Sequence, residues 1–391
     1  MQAIVFIQSH FNATMTVAAA MALVGLAAFF AFRVRLYAAA AKRRSCDIAA
    51  AAGDAVTVVV VCRDEGEMLE RTLPAIMNQR GVDFEVVVVD DCSDDTTPDV
   101  IKRMMHRYPS LRHTFVPRTA RYVSHGKLAV TLGVKAARNP WIVLTRPTCA
   151  PLTDLWLKSL AAHFAPGTDV VLGYANYADD GTAAARRAVF GRLQWSMACM
   201  LSARRHAAGG DGANLAFRRS AFLEKGGYAD SLDKLFGTDD LLVYALSQQG
   251  NTAVCTAPTA VVREYAVNLR QAWRRAKLQL TASLAYLPRR ANAGVAALWA
   301  AGAGHFLWLA GWVLAAVAFF VTARLLFAAA TVAVAVAVTV TDIMLMRRVS
   351  RTLGERVFVF SLLWYETVRP LSALLWKMRA FMHRRDFTRK I

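Results

Sequence analysis

The stretch FEVVVVDDCSDD, residues 84–95, runs through four consecutive valines and then turns acidic. A β-branched run bounded by polar residues predicts a buried strand. AVTVVVVCRDE (55–65) reads the same way, with Met68–Gln79 at helical spacing between the two. Downstream, Thr97–Tyr108 reads as helix, LRHTFVP (111–117) as a short strand and GKLAVTLGVKAA (126–137) as an amphipathic helix. WIVLT (141–145) is the next strand and Leu155–Phe164 the next helix. This alternation predicts an α/β fold, a mostly parallel sheet with helices on both faces. Ligands of such sheets bind at the carboxyl ends of the strands. The tips Asp64/Glu65, Asp90/Asp91 and Arg146 should therefore converge on one crevice. DVVLGYANY (169–177) reads as one further strand and Arg186–Arg205 as a helix. GGDGANLAFRR (209–219) is a Gly-rich loop entering a strand, and GTDDLLVYALSQQG (237–250) an acidic loop opening a helix that a glycine closes.

The flanks are apolar. Ala13–Phe32 is 20 residues without a charge, long enough to cross a bilayer core of roughly 30 Å. YAAAAKRR (37–44) could pass for a cleavage region, but no Lys or Arg precedes the run, which disfavours a signal peptide. Uncharged runs Ala291–Ala323 and Leu325–Thr341, parted only by Arg324, predict a helical hairpin over 295–346. Basic residues follow the first run (Arg33, Arg35, Lys42, Arg43, Arg44) and flank the hairpin (Arg289, Arg290; Arg347, Arg348, Arg351). By the positive-inside rule all these ends are cytoplasmic. The segment 45–290 is then cytosolic, and the chain a multi-pass protein of the cell inner (cytoplasmic) membrane. Residues 355–391 mix Phe358, Trp364, Leu371 and Trp376 with charges and Pro370, which suits an interfacial amphipathic helix and a basic tail.

The formal charge of +19 fits juxtamembrane clusters beside anionic lipid, and attraction of an anionic substrate. Three spans argue against a nucleic-acid partner. The six cysteines form no CxxC pair, which points to reduced structural thiols rather than zinc ligands or disulfides.

With VVVVDDCSDD after the second strand, and HGKLAVTLGVKAA, GANLAFRRSAFLEKGGY and GTDDLL following in order, the chain resembles family 2 glycosyltransferases of the GT-A fold. The resemblance runs from about Val56 to Tyr286. It implies a UDP- or GDP-sugar donor whose nucleoside is held by Asp90, Asp91 and, more loosely, Asp94, with Glu65 at the first strand's loop. Carboxylates accept hydrogen bonds from a uracil N–H or ribose hydroxyls; the competing reading is a helix cap ahead of Thr97. Lys127 matches a position near the diphosphate, against a plain solvated lysine. Asp239, followed by Asp240, matches the general base that takes the acceptor hydroxyl's proton in an inverting transfer, against a helix cap. Asp240 is placed on the acceptor side with Trp273 and Lys277, the latter two in a segment whose family pattern is incomplete, which disfavours long-chain synthesis.

The departure lies in WIVLTRPTCAPLTD (141–154). The family places acids there to hold Mg²⁺ or Mn²⁺ on the donor diphosphate; here Arg146 and Thr148 take the acid positions, while Cys149 and Pro151 keep the register. A hard divalent cation loses its expected oxygen ligands, so no metal-binding residue is assigned, and use of Mg²⁺ or Mn²⁺ is left open. Arg146 is expected to stabilise the diphosphate in the cation's place. Two functions follow. One is transfer of a sugar to a lipid or lipid-linked acceptor at the cytosolic face. The other is a catalytically degenerate membrane scaffold or partner protein. A nucleotidyltransferase is disfavoured because CRDEGE (62–67) is acidic where a phosphate loop would be basic.

Overall fold

The computed structural model describes residues 2–41, 54–119, 124–203, 206, 207, 209–248, 250–266, 268–288, 293–321 and 325–356, with scattered helical positions from 364 to 382. Arg43, Arg44, Arg289, Arg290, Arg324 and most of the 355–391 segment lie outside the described residues.

Helix α1 (Gln2–Ala41) comes first. The elements β1 (Val56–Cys62), α2 (Gly66–Met77), β2 (Phe84–Asp90), α3 (Thr97–Arg107), β3 (Leu111–Phe115), α4 (His125–Ala136) and β4 (Trp141–Thr145) then alternate as expected. Next are β5 (Cys149–Pro151), α5 (Trp156–Ala161), β6 (Val170–Leu172), β7 (Ala175–Tyr177), α6 (Ala183–Ser202), β8 (Leu215–Arg218) and α7 (Arg219–Glu224). The chain continues through α8 (Thr238–Leu246), β9 (Thr252–Val254), β10 (Val262–Glu264), α9 (Leu269–Tyr286), α10 (Ala293–Val321) and α11 (Leu325–Thr352).

The main sheet has the order β3-β2-β1-β4-β8-β6-β9. Its first four strands are parallel; β8 runs antiparallel between β4 and β6. Register places Cys62 level with Asp90 and Val60 level with Thr145, so β1, β2 and β4 end close together on one rim. Both faces are buried, as continuous valine runs require: Val58, Val60, Val86 and Val88 pack with α2, α3 and α5, and Val59, Val87 and Val89 with α4.

Two expectations are corrected. Residues 169–177 are not one strand. They divide at Gly173 into β6, in the main sheet, and β7, in a small sheet of order β5-β10-β7. A Cβ on Gly173 would lie 2.4 Å from the Asn214 side chain, so packing bends the chain where periodicity shows no break. Helix α8 also ends at Leu246, four residues before Gly250, which therefore does not close it.

Three helical stretches, Phe11–Ala40, Ala293–Phe320 and Leu326–Thr352, are long and apolar enough to cross a membrane. Helices α1 and α10 touch backbone to backbone: a Cβ on Gly25 would meet the Trp308 nitrogen at 2.3 Å, and one on Gly304 the Phe29 nitrogen at 2.5 Å. Small residues allow this approach where apolar burial gives helices little reason to associate. Between α1 and α11, buried Arg33 pairs with Asp342 at 3.2 Å while the Tyr37 hydroxyl donates to the same carboxylate. The α/β unit sits directly on these helices. Phe190 and Met197 of α6 share one apolar cluster with Leu36 of α1, Leu298 of α10 and Met346 of α11.

Candidate active site

The rim where β1, β2 and β4 end opens into a crevice of about 1020 Å³. Asp64, Glu65 and Asp95 line one end, Arg146, Asp211, Asp239 and Glu264 the middle, and Trp273 and Lys277 the far side.

At the first end the loops after β1 and β2 are laced together. Asp64 and Cys92 are the non-glycine residues with positive φ among those described, at 53° and 58°. Such backbone persists only where its surroundings hold it. The Asp64 N–H donates to Ser93 Oγ at 3.0 Å, and Asp64 Oδ1 accepts the Asp94 N–H at 2.8 Å. Asp95 accepts N–H groups from Gly66 and Thr97, which anchors the starts of α2 and α3. Burial pushes the Glu65 carboxyl above its ordinary range.

The expected donor-side acids fall differently. Asp90 and Asp91 are buried beside the crevice lining. Asp90 accepts the Ser93 N–H, and Asp91 Oδ1 lies 2.8 Å from His125 Nδ1. Asp94 faces solvent against Arg118 at 2.6 Å, so the acid of this loop that enters the crevice is Asp95. Asp91, Cys92 and His125 bring ligand atoms within 4.8 Å of one another. Each already has a protein partner, the Cys92 thiol donating to the Val116 carbonyl.

Lys127 requires a correction. It is fully buried, and its ammonium donates to the carbonyls of Ser231, Lys234 and Phe236 at 2.7, 2.7 and 3.0 Å. A lysine has three protons to give, and all three are spent on backbone. Desolvation lowers its pKa to about 8. Lys127 fixes the loop ahead of α8 and does not reach a diphosphate.

Arg146 sits at the centre of an ionic cluster. Its guanidinium lies 2.8 Å from Asp239 Oδ2, 3.3 Å from Asp211 Oδ1 and 3.2 Å from Glu264 Oε2. From α6, buried Arg192 meets the same two flanking acids, Asp211 at 2.7 Å and Glu264 at 2.6 Å, and lies over the Tyr177 ring. Burial works against the Arg146 charge, but Asp211, Asp239 and Glu264 outweigh it and hold the guanidinium protonated. Burial likewise opposes the Asp211 charge, and the two arginines overcome it, lowering that pKa. Three carboxylates against two guanidinium groups leave the cluster at one net negative charge. Arg146 is therefore not the free positive charge expected from the sequence. The same count tests the divalent cation implied by the resemblance. Every carboxylate of the cluster already faces an arginine, so a cation bound there would compete with those ion pairs.

Asp239 stands in the first turn of α8, after Gly237 in the left-handed region at φ 85°. Its Oδ2 accepts from Arg146 and from the Gly212 N–H at 3.0 Å, while Oδ1 carries no hydrogen bond among the described residues. The carboxylate lies against Gly212, where a Cβ would approach Oδ1 to 2.3 Å. Asp240 points the other way, buried against Ser283, and burial pushes its pKa up to about 7. Its bond from Ser283 ties α9 to α8 at the crevice wall. Trp273 carries the Lys277 ammonium 3.9 Å from its ring centre, a cation–π contact on the far wall.

Residues 57–224 match the family model "Glycosyl transferase family 2". The succinoglycan biosynthesis protein ExoO of Rhizobium meliloti (strain 1021) is 34% identical over 89 residues, 23% of this chain; the match spans only 24% of that relative's length. The mannosyltransferase PcManGT from Pyrobaculum calidifontis, solved in complex with GDP-Man and Mn²⁺, superposes with a TM-score of 0.53 at 21% identity. That superposition covers 87% of this chain and 98% of PcManGT, and at this identity it speaks to fold alone. TarS 1-349 of S. aureus, in complex with UDP-GlcNAc, gives a TM-score of 0.40 at 12% identity, covering 63% of this chain and 70% of that one. The segment from β1 to α7 thus resembles a family 2 glycosyl transferase domain, and its sheet is GT-A-like.

Proposed function

We propose that the chain is an inverting glycosyltransferase of the inner membrane. It moves a sugar from a UDP- or GDP-sugar to a lipid or lipid-linked acceptor at the cytosolic face, without a divalent cation. The observation that carries this is Asp239, with one carboxylate oxygen anchored twice and the other open to the crevice. A base so held can accept a proton without first reorienting. The acceptor hydroxyl oxygen attacks the anomeric carbon as its proton passes to Asp239 Oδ1. The bond from that carbon to the diphosphate oxygen breaks on the opposite side, releasing a nucleoside diphosphate. Arg146 has five N–H donors and spends two on hydrogen bonds to Asp239 and Glu264. The remainder serve the leaving diphosphate. The nucleoside occupies the Asp64, Glu65 and Asp95 end, with Asp90 and Asp91 supporting that wall. The acceptor enters past Trp273 and Lys277, from the side that α9 joins to α10.

A second reading has a specific observation in its favour. The Arg146–Asp239 ion pair could be a spent site, kept for structure in a scaffold. Calorimetric titration with UDP and GDP, with and without Mn²⁺, followed by turnover with the matching donor sugar separates the two. Metal-independent binding with turnover supports the enzyme. Binding only with Mn²⁺ refutes the metal-free form, and neither binding nor turnover leaves the scaffold.

A further inference from the structure

Arg192 and Arg146 share two carboxylates, but unequally. Arg192 donates from Nε to Asp211 Oδ2 at 2.7 Å and from Nη1 to Glu264 Oε2 at 2.6 Å. Arg146 reaches the same two acids at 3.3 and 3.2 Å, and its shortest contact is to Asp239, at 2.8 Å. Charge-assisted hydrogen bonds of full strength run at about 2.7–2.9 Å. By that measure Asp211 and Glu264 are bound first to Arg192, and Arg146 is bound first to Asp239.

The two guanidinium groups are also placed differently. The Arg192 side chain is 7% exposed, against 39% for Arg146, so Arg146 is the one that a substrate in the crevice can meet. Arg192 lies over the Tyr177 ring, 4.5 Å from its centre, and Tyr177 stands level with Glu264 across the β7–β10 pair. Its helix is anchored in turn. Phe190, Leu193 and Met197 of α6 pack with Leu36, Leu298 and Met346. Burial works against the Arg192 charge, and Asp211 and Glu264 outweigh it. A fixed cation behind the crevice thus faces two acids that also border the exposed one.

We propose that Arg192 is a positioning residue for the transfer: it holds Asp211 and Glu264 back from Arg146, so that Arg146 stays on Asp239 with donors left for the leaving diphosphate. Without Arg192 those two acids have Arg146 as their remaining cation in the cluster. They close on it, two carboxylates against one, and draw it away from Asp239. The task needs a fork as well as a charge. A guanidinium presents its donors in a fixed planar spread that reaches both acids at once, whereas an ammonium is a point charge on a flexible stem. The inference rests on the proposed transferase reading, in which Arg146 serves the diphosphate and Asp239 is the base.

The test compares Arg192→Lys and Arg192→Met with wild type, each as the full chain. Its first readout is the Arg146–Asp239 distance in structures determined without donor. That distance should lengthen from 2.8 Å to beyond about 3.5 Å, past hydrogen-bond reach, with Asp211 and Glu264 moved onto Arg146. The second readout is kinetic. In both variants kcat should fall by about 100-fold, the scale of a misplacement of about 1 Å, with the KM for acceptor unchanged. Circular dichroism checks the fold; should Arg192→Met not fold, Arg192→Lys carries the test alone. An unchanged distance in Arg192→Lys overturns the proposal, and so does wild-type kcat there, because the role would then be charge alone. A lowered melting temperature with distance and kcat unchanged overturns it too, leaving Arg192 a structural residue. The distance is read without donor, so a chain without turnover refutes the transferase reading and still answers for the placement of Arg146.

Discussion

Arg146 Nη2 lies 2.8 Å from Asp239 Oδ2, so a cation at the tip of β4 holds a carboxylate at the start of α8 across 93 residues of sequence. The pair links the end of the crevice lined by Asp64, Glu65 and Asp95 to the wall that carries Asp239. Whichever group moves, the other must answer.

Removing the arginine should therefore do two things at once. Arg146→Ala loses about 100-fold or more in turnover, the scale of a deleted electrostatic donor. It also leaves Asp211, Asp239 and Glu264 facing Arg192 alone, two net negative charges. That variant should gain Mn²⁺ binding, visible by electron paramagnetic resonance, where wild type shows little.

Asp239→Asn keeps the shape and the Gly212 contact but cannot take a proton. Turnover should fall by about 100-fold to 10,000-fold, the range for a lost general base, with nucleotide affinity unchanged by calorimetry. Unchanged turnover would remove Asp239 from the mechanism.

Gly212→Ala adds a methyl group 2.3 Å from Asp239 Oδ1. The carboxylate must shift, so kcat should fall toward the Asp239→Asn level while melting temperature changes little. An alanine variant with wild-type kcat would show that this contact does not set the base.

The Arg33–Asp342 pair is buried between α1 and α11. Either single alanine variant strands a charge, at a cost of about 3–5 kcal/mol. The double variant should be more stable in detergent melting than either single one, and Arg33→Asp with Asp342→Arg should recover much of the loss.

Asp240 predicts a pH slope. Its pKa is raised from 3.8 to about 7 in the fold, so folding favours the protonated acid. That stability is complete below the unfolded pKa and is lost as pH rises through the folded one. Thermal melting should decline between about pH 4 and pH 7. Asp240→Asn should flatten the decline in that window.

The parallel part of the sheet could be read from sequence because β1, β2 and β4 announce themselves locally, by an apolar β-branched run and a polar end. The crevice rim followed, since parallel strands in register finish together. Arg146 and Asp239 were visible as departures or matches at strand and helix ends. Arg192, Asp211 and Glu264 were not. Glu264 meets Arg146 across 118 residues, and Asp211 meets Arg192 across 19 on a different element. The available signals were weak: an acid between glycines in GGDGAN, and a lone glutamate ending the apolar run in AVVREY. Lys127 misled for a related reason. Its three acceptors lie 104 to 109 residues away, so nothing near the GK pair reveals that the ammonium is already occupied.

That buried ammonium gathers three backbone carbonyls much as a small ion would, but it is covalently part of α4. The chain thus carries its own counter-ion for the turn that launches α8, and dialysis cannot remove it. A substitution at Lys127 would unpin the platform beneath the base rather than empty a ligand pocket. It should reveal itself first in the order of residues 231–236 and only afterwards in the chemistry.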